Sequence, residues 1–148
     1  MIVTRTFSKA YGLAGIRIGY GIAQPSLIAA MEAVREPFNV NSLAQASAAA
    51  ALDDTAFLAA TRRLVEEGRR YLTKELGALK LRHVPSVTNF LLIQLGPRAS
   101  DVAQALLRQG VIVREMSAWK LSGCIRVTIG TTAENRRFIQ ALKQCLAS

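Results

Sequence analysis

From about residue 54 to about residue 76 the sequence keeps a helical spacing with no proline in it. Phe57, Leu58, Leu64, Val65, Tyr71 and Leu72 recur along one side. A helix of about 22 residues is roughly 33 Å long. Few small domains contain such an element, and it suits a chain in which one helix bridges two bodies. On either side of it, strand-like and helix-like runs alternate. The first seven residues are rich in β-branched types (Ile2, Val3, Thr4, Thr6) and read as a strand, and residues 16–20 alternate as a second. Pro25-Ser26 opens a helix capped by Ser26 and ended by Pro37. Ser42 with Gln45 makes a capping box for an alanine-rich helix to about Leu52, and Asp53-Asp54 then breaks that helix and caps the long one.

Beyond the long helix, residues 87–95 form a near-continuous apolar strand. Ser100 caps a short helix that Gly110 ends, and residues 111–114 and 125–129 are further strands. Thr131 with Glu134 forms a second capping box, starting a last helix to about Leu146. This order predicts an α/β chain with a joint near residues 36 to 55. The organisation expected is 1–50 as one body and 51–148 as the bridging helix plus a second, smaller body.

Composition bounds the function. The chain has 148 residues, 51% of them apolar and only 20% charged, so it can bury a core and is not a disordered, solvating chain. Its net charge of +9 is dispersed: the basic pairs Arg62-Arg63, Arg69-Arg70 and Arg136-Arg137 all lie in helical patterns and read as solvated faces. With few aromatics beside them, no nucleic-acid partner is expected. Two cysteines and one histidine, His83, make neither a disulfide framework nor a metal cluster, so no metal is expected. His83 reads as a residue packing near the turn at residues 82–85. No run reaches the roughly 18 apolar residues of a membrane span, and the first residues lack the order of a signal peptide. The setting expected is reducing and cytoplasmic.

One segment concentrates chemistry: Thr6-Phe7-Ser8-Lys9-Ala10-Tyr11-Gly12, continuing through Gly15, Arg17, Gly19 and Tyr20. A lysine just after a strand, beside a hydroxyl and amid glycines, can form an imine if its amine loses its proton, and partial burial near another cation favours that loss. Arg17 offers a planar fork that grips phosphate at two points, and Ser8 adds a short hydroxyl donor. Two strand-end arginines, Arg114 and Arg126, are flanked by β-branched residues and would add to an anion-binding cleft. Trp119, in the loop after Arg114, could line a pocket or cover the core.

Ser8-Lys9 followed by Gly15-x-Arg17-x-Gly19-Tyr20 resembles the pyridoxal-phosphate attachment motif of the class II aminotransferases of fold type I. The strands around Arg114 and Arg126, with the Cys124 to Thr131 run, resemble the histidinol-phosphate branch of that family. The resemblance covers essentially the whole chain. It implies that Lys9 is the Schiff-base lysine and proton carrier, and that Ser8 and Arg17, with Thr6 as a further candidate, bind the cofactor phosphate. Arg126 would grip the substrate α-carboxylate, and Arg114 the substrate phosphate. The implied reaction moves an amino group between L-glutamate and imidazole acetol phosphate, in histidine biosynthesis, so the partners expected are a small phosphorylated amino substrate and a 2-oxo acid.

That family also places an aspartate for the pyridine nitrogen, ring-flanking asparagine and tyrosine, and a glycine-rich phosphate turn upstream of the lysine. Only eight residues precede Lys9, and Asp53, Asp54 and Asp101 are not in the matching position. The chain therefore reads as the C-terminal portion of such an enzyme, inactive alone and prone to self-association or dimer formation. Two rivals stand beside this reading: an aromatic or broad-specificity aminotransferase, and a non-catalytic remnant serving as an interaction module.

Overall fold

The computed structural model describes residues 1–147 as two compact units, the first being Met1–Arg62 and the second beginning at Arg63. The fold is α/β, as the alternation predicts.

In the first unit β1 (Ile2–Thr6) and β2 (Gly19–Ala23) form an antiparallel pair, with Ile2 opposite Ala23 and Thr6 opposite Gly19. The second strand begins three residues later than the expected 16–20. Residues Ala14–Ile16 coil into a 3-10 turn and Arg17 takes a left-handed backbone, which breaks the alternation before Gly19. Gly19 itself is obligatory, since a Cβ there would lie 2.7 Å from the Arg5 carbonyl oxygen.

Next come α1 (Pro25–Ala33) and α2 (Ser42–Asp53). Their caps differ from expectation. Proline is the first residue of α1, so Gln24 is its cap and Ser26 lies inside the first turn. α1 also stops at Val34, well before Pro37. Asn41, held extended, caps α2 by accepting from the Ala44 N–H at 2.8 Å, while Gln45 donates to the Val40 carbonyl instead of closing a box with Ser42. Asp54 does cap α3 (Thr55–Ala78), accepting from Phe57 N–H at 2.9 Å. At 24 residues, α3 begins in the first unit and continues into the second.

The second unit holds an antiparallel sheet in the order β3 (Arg82–His83), β4 (Phe90–Gln94), β6 (Cys124–Thr128), β5 (Arg114–Glu115), with α4 (Ala99–Arg108) and α5 (Thr132–Ala147). Strand residues alternate between faces. Leu91 and Ile93 of β4 and Ile125 and Val127 of β6 are buried against Leu72 and Leu76 of α3, Val102 and Leu106 of α4, and Phe138 and Leu142 of α5.

Two strands are shorter than expected. Residues 87–89 precede the ladder, and of the expected 111–114 run only Arg114 pairs with β6, together with the following Glu115. Ser100 does not cap α4; a 3-10 turn, Gly96–Arg98, feeds straight into the helix. Gly110 ends α4 region at φ +72, its N–H bonded to the Leu107 carbonyl. The Thr131–Glu134 box forms as expected: the Glu134 carboxylate accepts from Thr131 N–H at 2.7 Å, and Thr131 Oγ1 accepts from Glu134 N–H.

Candidate functional site

The lysine-bearing loop is closed at its base by backbone. Phe7 N–H donates to the Ile18 carbonyl at 3.2 Å, and Leu13 N–H donates to the Phe7 carbonyl at 3.0 Å. Phe7 is buried beneath the loop, its ring 4.9 Å from that of Tyr11 and 5.8 Å from that of Tyr20. Ser8 stands one residue past Phe7 and Arg17 one residue before Ile18, so the two flank the base of the same loop. Thr6 Oγ1 accepts from Ser8 N–H at 3.1 Å, which orients the turn into Lys9, and Gly12 at φ +71 returns its N–H to the Lys9 carbonyl.

Arg17 Nη1 donates to the Ala14 carbonyl at 2.7 Å, leaving its remaining donors. Lys9 is exposed within its unit, where partial burial was expected; only Phe7 among the residues of this loop is buried. An added Cβ at Gly15 would meet nothing within 4 Å, so the space beside the loop is open. A primary amine, two hydroxyls and a guanidinium on one closed loop are donors that could hold a phosphate-bearing carbonyl compound.

The second group lies in the second unit. Arg114 of β5 and Arg126 of β6 are direct cross-strand partners, hence on the same sheet face, opposite the buried Ile125 and Val127. Like charges so placed repel. Among the described residues neither guanidinium hydrogen-bonds to the chain or pairs with a carboxylate. Each lies over a ring instead: Arg114 Cζ is 5.1 Å from the Trp119 centroid, and Arg126 Cζ is 5.2 Å from that of Phe90.

The acid next to Arg114 in sequence, Glu115, is engaged elsewhere. Its carboxylate accepts from Ser117 N–H at 3.0 Å and from the Ser117 hydroxyl, and these bonds lower its pKa. Trp119 and Phe90 are the rings beside the two arginines; the sequence left the role of Trp119 open and did not raise one for Phe90. Phe90 stands diagonally across the β4–β6 ladder from Arg126, which pairs with Leu92, and Trp119 lies in the 3-10 turn after β5, so neither contact can be read from a local pattern.

A groove of about 460 Å³ is lined by Val111, Ile112, Thr128 and Arg137, and neither Arg114 nor Arg126 lines it. His83 sits in β3 with Nδ1 buried and without a hydrogen-bond partner. Among the described residues no three His, Cys, Asp or Glu side chains gather as a metal site, and no helix is long and apolar enough to cross a membrane.

The first unit thus offers a lysine on a closed glycine-rich loop and the second a strand-borne arginine pair, features that an enzyme using a carbonyl cofactor would employ. Comparison gives the family. Residues 1–142 match the model of aminotransferase class I and II, and the chain belongs to that family. It is 51% identical over 150 residues to histidinol-phosphate aminotransferase 2 of Ralstonia nicotianae, and 49% identical over 147 residues to histidinol-phosphate aminotransferase 2 of Pseudomonas fluorescens. Each alignment covers 99% of this chain and 40% of the relative.

The crystal structure of histidinol-phosphate aminotransferase from Sinorhizobium meliloti in complex with pyridoxal-5'-phosphate superposes with a TM-score of 0.88. That structure is 32% identical, and the match covers 99% of this chain and 41% of that one. The fold is thus that of the fold type I aminotransferases, matched over part of their length. The chain spans about 40% of the length of the curated relatives it matches.

Proposed function

We propose that this chain carries the lysine and the anion-binding strands of a histidinol-phosphate-type aminotransferase. The reaction is transfer of an amino group between L-glutamate and imidazole acetol phosphate in histidine biosynthesis, with pyridoxal phosphate as cofactor. The observation that carries this reading is the Phe7–Ile18 closure, which sets Ser8-Lys9 and Arg17 on one loop.

When bound, the cofactor supplies an electron sink that lets the substrate α-carbon give up its proton. Lys9 would supply the amine that holds the cofactor's carbonyl and would serve as the base for the substrate α-carbon proton. Ser8 and Arg17 hold the cofactor phosphate through charge-assisted hydrogen bonds; Thr6 fixes Ser8 by accepting its backbone N–H. Arg126 grips the α-carboxylate and Arg114 the substrate phosphate. Their direct cross-strand placement without a neutralising acid supports both roles.

The cytoplasm is the proposed setting, supported by two free thiols, Cys124 and Cys145. Because the chain spans about 40% of its relatives, the 148-residue chain by itself is expected to turn over histidinol phosphate and 2-oxoglutarate at no useful rate. Adding pyridoxal phosphate to the purified chain tests the anchor. A new near-ultraviolet or visible absorption band is expected in the wild type and none in Lys9→Ala. An equal band in both removes Lys9 from the role. Within an active assembly, Arg114→Ala should lose preference for the phosphorylated substrate, and unchanged preference would favour an aromatic or broad-specificity enzyme.

A further inference from the structure

We propose that Trp119 is a positioning residue for Arg114, holding the guanidinium by its face so that the N–H edge stays free for a phosphate-class anion. This rests on the reading of Arg114 as an anion-binding residue and adds how that residue is kept poised. Arg114 Cζ lies over the Trp119 ring at 5.1 Å, within the roughly 6 Å over which a ring attracts a cation.

The ring is placed by backbone, not by burial: Trp119 is 53% exposed. Its N–H donates to the Met116 carbonyl at 3.0 Å, Leu121 N–H donates to the same oxygen at 3.3 Å, and Met116 is buried as the anchor. Lys120, left-handed at φ 59, closes the turn with its N–H on the Ser117 carbonyl at 2.8 Å. Glu115 completes the turn by accepting from Ser117, and as the next strand residue it points to the sheet face opposite Arg114.

The chemistry explains why a ring suits this position. A carboxylate would hold the arginine equally well, but it would occupy the fork and cancel its charge. A ring face interacts with the flat of the guanidinium and consumes none of its five donors. It also restricts a long side chain whose ordering otherwise opposes ligand capture. Arg126 over Phe90 repeats the arrangement on the neighbouring strand, so two facing cations are each held without being neutralised.

The test uses inorganic phosphate on the full 148-residue chain. Calorimetric titrations are run in an Arg17→Gly background so that the lysine loop does not contribute. Trp119→Leu is expected to weaken phosphate binding about two- to five-fold, Trp119→Tyr to retain most of it, and Arg114→Gln to abolish it. Trp119 is the chain's single tryptophan, so phosphate should also shift the emission of the wild type and not that of Arg114→Gln.

If Arg114→Gln binds as the background does, or the background binds nothing, the anion-binding reading of Arg114 falls and this proposal with it. If Arg114→Gln loses binding while Trp119→Leu keeps it in full, only the positioning role is overturned. Equal losses in Trp119→Leu and Trp119→Tyr overturn it too, because the tyrosine ring should rescue.

Discussion

Arg17 and Lys120 both take a left-handed backbone at φ 59, a conformation that costs an L-residue with a Cβ about 1 kcal/mol or more. The consequences of relieving that strain differ at the two positions. Lys120 only closes a turn, so Lys120→Gly is expected to stabilise the chain by about 1 kcal/mol in urea denaturation. Arg17→Gly relieves the same strain but removes the fork flanking Lys9. It should leave the circular dichroism spectrum unchanged while weakening pyridoxal phosphate binding roughly ten-fold or more, the worth of a charge-assisted hydrogen bond. A glycine that kept full affinity would remove Arg17 from the site. The motif made Arg17 legible as a residue, but not its backbone: residues 16–20 alternate like a strand, and only the closure by Phe7 and Ile18 forces the left-handed turn. Likewise Arg114 and Arg126 could be chosen from the sequence, whereas their being direct partners depends on a register that no local pattern specifies.

Between elements, small residues decide how closely α3, β6 and α5 approach. Gly68 lies mid-helix, where alanine would ordinarily gain up to about 1 kcal/mol. Here a Cβ would stand 2.5 Å from Ile129 Cγ2 and 2.8 Å from Asn135 Nδ2. Ile129 is branched and buried, and the Asn135 amide is fixed: it donates to the Gly130 carbonyl at 2.9 Å and accepts the Gly130 N–H at 3.0 Å. Gly68→Ala is therefore expected to destabilise by about 1–3 kcal/mol through overpacking, the reverse of its propensity effect, as thermal or urea unfolding would register.

At the start of α5, the two Thr131 donors hold the Glu134 carboxylate below its ordinary pKa. A depressed carboxylate contributes stability above its unfolded value and loses it as pH falls through the folded one. The acid-side fall in melting temperature should thus be shallower in Glu134→Gln, and an identical profile would discount the cap. This box was readable from sequence because threonine and glutamate satisfy one another locally. Ser26, Ser42 and Ser100 misled because serine is equally at home in a first turn; which residue becomes the cap depends on where the backbone turns extended, as Asn41 does.

At the scale of the whole molecule the two units differ in how much apolar surface each encloses. The contiguous core belongs to the second unit, whereas Phe7, Ala44 and Ala48 are the buried apolar residues of the first. The first unit instead exposes Ile22, Val34, Phe38, Leu43 and Leu52, with Val34 at 82% and Leu43 at 70%. Scattered exposed apolar residues are ordinary, but so many large ones beside so small a core leave little to offset chain entropy. Hydrogen exchange should accordingly be fast throughout the first unit outside the β1–β2 pair, and slow in β4, β6 and α5. The same surface predicts self-association. Sedimentation should show a mass average rising with concentration, and Val34→Ser with Leu43→Ser should move it toward the monomer. A monomeric profile across a wide concentration range, with slow exchange in both units, would mean that the first unit is stable with its apolar residues in water.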